Sequence, residues 1–262
     1  MKKTLLLALA AITTGMATGQ AQDMAVAEAA SFSTTLTPAV VSQYMFRGQR
    51  LGGPAFQPNV EVDYGALGVG VWSSFPLADK VDGVSDPEID PYFYYALPAT
   101  GWLNVVPGAT LYTFPRADTG AGFYRSTFEP SLALGISVPG GVTLTPKVYY
   151  DFVLDGATLE VTAAYAVPLT ALGSELDLAA SYGDYLWHDA VNGAAPAVKQ
   201  AGQYWTAGAT VPFQLTKAAK LTIGFLYTKG YDAYLKEPGV PKVENTLAVG
   251  RGVASVSYSH TF

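Results

Sequence analysis

From residue 55 onward, apolar and polar side chains alternate in runs of strand length. In "FQPNVEVDY", Phe56, Pro58, Val60, Val62 and Tyr64 share one face, and Gln57, Asn59, Glu61 and Asp63 the other. "LTIGFLYT" gathers Leu221, Ile223, Phe225 and Tyr227; "TLEVTAAYAV" gathers Leu159, Val161, Ala163, Tyr165 and Val167. "VTLTPKVYYDF" sets Val142, Leu144, Val148, Tyr150 and Phe152 against Thr143, Thr145, Lys147, Tyr149 and Asp151. A period of two is the mark of a strand with one apolar face. About twelve such segments are predicted, near 34–47, 55–64, 67–76, 88–97, 102–115, 123–138, 142–154, 157–167, 175–186, 202–213, 220–229 and 246–262.

The connections alternate in length. Short turns at 65–66, 98–101, 139–141, 168–174 and 215–219 interleave with longer segments at 48–54, 77–87, 116–122, 187–201 and 230–245. The exception is "LDGA", where Asp155-Gly156 reads as a two-residue primed turn. Short–long alternation in a meander predicts an all-β fold, a transmembrane up-and-down antiparallel barrel with short turns on the periplasmic side. Phe46, Phe56, Phe75, Phe114, Phe128, Phe152, Trp205 and Tyr227 fall beside the long loops, and Tyr64, Trp102, Phe213 and Phe262 beside the short turns. These are the expected interfacial girdles. A secreted β-sandwich also alternates, but here the apolar face carries almost no charge, and the polar face is rich in Gly, Ser and Thr. Pro38, Pro107 and Pro146 lie inside strands. A closed barrel has no edge to host a missing donor, so bulges or fraying are expected there.

The chain stops in mid-pattern. Ala254, Val256, Tyr258, His260 and Phe262 fall on the lipid face, and Ser255, Ser257, Ser259 and Thr261 face inward. A last strand ending in Phe resembles the C-terminal signature of bacterial outer-membrane proteins, which implies that the barrel-assembly machinery reads Phe262, Tyr258 and Val256.

At the other end, Lys2-Lys3, the run "TLLLALAAITTGMA" and small residues up to Ala21 read as a secretory signal peptide over 1–21, leaving 22–262 as the barrel. Loss of Lys2 and Lys3 moves the net charge from −6 to −8, a poor basis for nucleic-acid binding. The chain is half hydrophobic yet only 14% charged, against roughly 25% in soluble domains. Beyond the leader, no apolar run is long enough for a helical span. With no cysteine, thiolate metal sites and disulfides are excluded, and no cofactor is implied.

The stretch "VVSQYMFRGQRLGGPAFQPNVEVDYGALGVGVWSSF" resembles the start of the TorF-like outer-membrane porin family. The match lies in Ser42, Gln43 and the aromatic-x-Phe-Arg-Gly of Tyr44, Phe46, Arg47 and Gly48, then in Pro54, Gln57 and Trp72. The resemblance implies an outer-membrane pore and little more.

Turn geometry sets the candidate lumen residues. The "PGG" turn places Glu129 opposite Asp151, and the "LDGA" turn places Asp151 opposite Glu160. Three carboxylates at one height are costly if unpaired. They read either as a cation-attracting constriction or as a network neutralised by Arg125, Lys147 or Arg47. Glu61 and Asp63 face Gly70 and Gly68 across the "GA" turn, which leaves room for a vestibule or a solvated lumen face. Arg47 and Arg251 sit where either can line a pore or lock a plug. The acidic loop "DKVDGVSDPEID" lacks EF-hand spacing and reads as a solvated surface loop.

Enzymatic chemistry finds little support. His260 has no evident acid partner, and His188 beside Asp189 lacks a serine placed to meet it. The function expected is passive diffusion of small polar, cationic solutes. Its partners are outer-membrane lipid and lipopolysaccharide, the assembly machinery and those solutes. The runner-up is a non-conducting barrel serving as receptor, adhesin or structural protein through its loops.

Overall fold

A computed structural model describes residues 7–10, 18–21, 32–81, 86–97, 100–121, 123–189 and 198–262. The leader expected over 1–21 is described only at Leu7–Ala10 and Thr18–Ala21, which pair with each other in a ladder separate from the barrel sheet; the rest of it lies outside the described residues.

Twelve antiparallel strands close the barrel. β1 runs Phe32–Thr37 and resumes as Ala39–Val41; β2 is Ala55–Phe56 resuming as Asn59–Tyr64. There follow β3 (Leu67–Pro76), β4 (Glu88–Tyr95), β5 (Leu103–Thr113), β6 (Ser126–Val138), β7 (Val142–Asp151) and β8 (Gly156–Leu169). Last come β9 (Ser174–Trp187), β10 (Lys199–Gln214), β11 (Ala219–Lys236) and β12 (Gly250–Thr261). Each strand pairs with its sequence neighbour, and β12 closes on β1 through Ser255↔Val41, Ser257↔Ala39 and His260↔Leu36. Both termini of the barrel meet at the end with the short turns, the turn end; the longer connections gather at the opposite, loop end.

The alternation read from the sequence is the inside–outside pattern of the wall. On β3, Leu67, Val69 and Val71 are exposed while Gly68, Gly70 and Trp72 are buried. On β12, Val256 and Tyr258 are exposed, as is Phe262 just past its end, while Ser255 and Ser257 are buried. An outer face of Leu, Val, Ile, Phe and Tyr has no place in water, and closure leaves no strand edge unpaired in lipid.

The prolines break single hydrogen bonds without shifting register. The β6–β7 ladder loses its pairing between Ala133↔Lys147 and Ile136↔Leu144, where Pro146 stands. β1 is interrupted at Pro38, although Tyr258 still donates to the Pro38 carbonyl. A proline withholds one donor from one neighbour, so the expected fraying, without a bulge, is found at Pro38 and Pro146, whereas the β5–β6 ladder runs unbroken through Pro107↔Leu132.

Candidate functional site

The strand predicted over 34–47 ends at Val41. The chain then turns inward as a hairpin with arms Tyr44–Phe46 and Gln49–Gly52, and its ladder joins no barrel strand. Its tip is Arg47-Gly48, with φ of +46° and +73°, a primed two-residue turn in which the glycine is needed. A Cβ on Gly48 would lie 2.6 Å from the Gly230 backbone, so the tip seats directly on β11.

This hairpin crosses the loop end of the lumen. Tyr44 donates a hydrogen bond to Glu88 on β4 and packs on Trp72 of β3 at 5.8 Å. Phe46 meets Tyr112 of β5 edge-on at 5.7 Å. The expectation that Phe46 sits in the lipid girdle is therefore corrected, because the turn carries it inside. On the far arm, Gln49 accepts from Gln200 at 2.7 Å and Asn245 at 2.8 Å, and Arg50 N–H donates to the Leu247 carbonyl. The first and last loops are thus stitched together. Beneath the hairpin, Val41, Tyr44, Met45, Ala55, Trp72 and Val253 form an apolar cluster inside the barrel.

Arg47 is the centre of the arrangement. Its guanidinium forks onto Glu129 of β6 through two hydrogen bonds of 2.7 and 2.8 Å, with Arg47 4% and Glu129 2% exposed. Tyr112 donates to the same carboxylate at 3.0 Å. The guanidinium lies 4.6 Å from the ring centres of Phe46 and Tyr149, and 5.8 Å from Trp187. A buried carboxylate alone is costly; the fork and the aromatic faces offset its desolvation.

The other lumen candidates separate. The β6–β7 register puts Glu129 across from Asp151, as the "PGG" turn predicts. Asp151, however, pairs with Gly156, and the residue opposite Glu160 is Lys147. Asp151 accepts from the backbone N–H of Val153 (2.8 Å) and Leu154 (2.7 Å), so it builds a four-residue turn and moves the register by four. Glu160 instead accepts from Tyr204 at 2.6 Å, and Lys147 lies over the Tyr149 ring at 4.5 Å. Arg125 neutralises none of these groups. It is exposed just ahead of β6, because that strand begins at Ser126 and leaves its side chain in the loop. Arg251 is exposed near the start of β12, donates to the Gly250 carbonyl and joins none of the ion pairs among the described residues.

Nearer the turn end, Glu61 and Asp63 do stand opposite Gly70 and Gly68. The space over the glycines is filled rather than free. The Tyr94 ring covers Gly68, and the Tyr92 ring covers Gly70. Tyr92 donates to Glu61 at 2.6 Å and Tyr94 to Asp63 at 2.9 Å. In the loop read as solvated, Asp79 pairs with Arg50 and Asp86 with Lys80, while Asp82 lies outside the described residues. Glu88 and Asp90 belong to β4 and are buried inside. The reading of these two as part of a solvated surface loop is therefore corrected: the strand starts at Glu88, and their alternation with Tyr92 and Tyr94 carries the signal. His188 directs Nδ1 to the Asp155 carbonyl at 2.6 Å, and Asp189 accepts from Tyr124 at 3.1 Å.

No protein-family model matches the chain, and no curated protein does. Among solved structures, it is similar to the NanC porin, at 10% identity and a TM-score of 0.49 over 87% of this chain and 98% of that one. It is similar to LpxR from Salmonella typhimurium, at 9% identity and 0.46 over 87% and 100%. An outer-membrane channel from Pseudomonas putida F1 gives 10% and 0.43 over 90% and 97%. Likeness of this order carries no functional argument.

Proposed function

We propose that the protein is an outer-membrane channel for small polar solutes, preferring cations, and that the inward hairpin sets its narrowest point. One observation carries the reading: the charge of the lumen wall. Glu88, Asp90, Glu129, Asp151 and Glu160 are buried there, against the buried Arg47 and the half-buried Lys147 opposite Glu160. Carboxylates in excess inside a low-dielectric tube attract cations and repel anions. Toward the turn end the inward residues are small and hydroxylated, among them Thr143, Thr145, Thr222 and Ser257. Short hydroxyl side chains supply hydrogen bonds while taking up little of the lumen. Twelve strands lie between side-chain-filled barrels of eight and the wide porins of 16–18, which suits a narrow path. The reading keeps the TorF-like resemblance, the N-terminal leader, contact with lipid and lipopolysaccharide, and assembly through Phe262, Tyr258 and Val256. It assigns no catalytic role.

The competing reading, a closed barrel that acts through its loops, is favoured by the hairpin's span of the lumen. One measurement separates them. The refolded full-length protein is inserted in a planar bilayer, beside a variant with residues 45–50 replaced by a Gly-Ser linker, and current is read under a salt gradient. Cation-selective steps that enlarge when the hairpin is shortened support the channel. Insertion without steps in either form overturns it.

A further inference from the structure

The Arg47 head group is held as a ligand is held. Glu129 reaches it from the wall of β6 with both oxygens; Tyr112 fixes one of those oxygens at 3.0 Å; Tyr149 and Trp187 present ring faces. All four belong to barrel strands, so the pocket stays when the hairpin leaves. Only Phe46 departs with it. The Trp187 indole N–H is buried there without a partner, a donor left over in the lining. We infer that this pocket is a guanidinium-recognition site, occupied in the resting protein by the chain's own Arg47, and that small solutes bearing a guanidinium group compete for it.

The chemistry selects that class. A carboxylate met edge-on by two parallel N–H donors matches a planar fork, whereas an ammonium offers no second donor in the same plane. The flat, weakly hydrated guanidinium also stacks on tyrosine and tryptophan faces. Arg47 sits at the tip of a two-residue turn tied into the same barrel, so its local concentration is high and an outside competitor acts only at elevated concentration. Guanidinium solutes are then both the favoured permeants and the agents that loosen the hairpin. This role rests on the channel reading, whereas the pocket stands without it.

The test removes the internal ligand. Full-length Arg47→Ala protein, refolded in detergent, is titrated calorimetrically with methylguanidinium and separately with methylammonium. The inference requires methylguanidinium to bind about tenfold more tightly or better, the wild-type protein to show no such binding, and Glu129→Gln added to Arg47→Ala to abolish the preference. Equal binding of the two cations, or a preference that survives Glu129→Gln, overturns it. Should Arg47→Ala refold only with methylguanidinium present, that rescue supports the site. Should it fail in both conditions, the shortened-hairpin variant takes its place, and absence of guanidinium preference there overturns the inference. Bilayer current is recorded alongside. Calorimetric preference without current in any form keeps the pocket and sinks the channel; current without preference sinks the pocket alone.

Discussion

At the loop end, the lumen holds a folded piece of chain. A primed turn carries Arg47 to Glu129, apolar side chains cluster beneath it, and Gln49 ties it to the last loop. At the turn end, the same twelve strands present Ser, Thr, Ala and Gly, with Tyr92 and Tyr94 laid over glycines of the next strand. In one half, polar groups are satisfied by a segment that reaches in from outside the wall. In the other, the wall satisfies itself. The first half is therefore displaceable as a unit, and the second is not.

The largest expected effect comes from removing the carboxylate at the loop end. Glu129→Ala leaves Arg47 buried without its anion, at a cost of about 3–5 kcal/mol. That exceeds what a short hairpin gains by docking, so the hairpin should leave while the barrel stays closed. Limited proteolysis within 44–52, together with an unchanged heat shift on gels, reads this outcome. Resistance to cleavage would show that the hairpin is held by its apolar cluster instead. At the turn end, the matching change is smaller. Tyr92→Phe removes the donor to Glu61 while its ring still fills the space over Gly70, at a cost of about 1 kcal/mol. The urea midpoint in vesicles should fall slightly, and cleavage within 44–52 should stay as in wild type. A rise in hairpin cleavage would mean that the two halves are coupled.

The same contrast explains what the sequence discloses. Wall residues obey a period of two, so ten of the twelve strands fall close to their predicted segments, and even the Glu61–Gly70 and Asp63–Gly68 pairs are legible. The hairpin is not. Tyr44, Met45 and Phe46 continue the apolar run of β1, and nothing local marks Val41 as its end. What marks it is distant: Glu88, Glu129 and Trp72 are spread over three other strands. Arg47-Gly48 is an atypical primed turn, lacking the Asn or Asp that usually gives such turns away. Asp151 misled for a related reason. Its carboxylate serves the backbone of its own turn, and a turn closed by a side chain cannot be counted from glycine positions alone.

The smallest expected effect lies in the turn-end half of the wall, at Pro146. The register sets it across from Leu134, between Ala133↔Lys147 and Ile136↔Leu144, where the ladder to β6 is missing. Pro146→Ala supplies the absent N–H, and a hydrogen bond of this kind is worth about 0.5–1.5 kcal/mol net. The substitution also frees the unfolded chain, which opposes it by about 0.4–1 kcal/mol. The two terms nearly cancel, so the unfolding free energy read from the urea titration should change by roughly 0.3 kcal/mol and by no more than about 1 kcal/mol, with the sign set by the hydrogen bond. Hydrogen exchange is the sharper readout. If the strands are already at bonding distance, the new amide at position 146 should exchange as slowly as its neighbours. Fast exchange would show that the wall gapes there in its own right, and the self-satisfied half of the barrel would then have a weak line of its own.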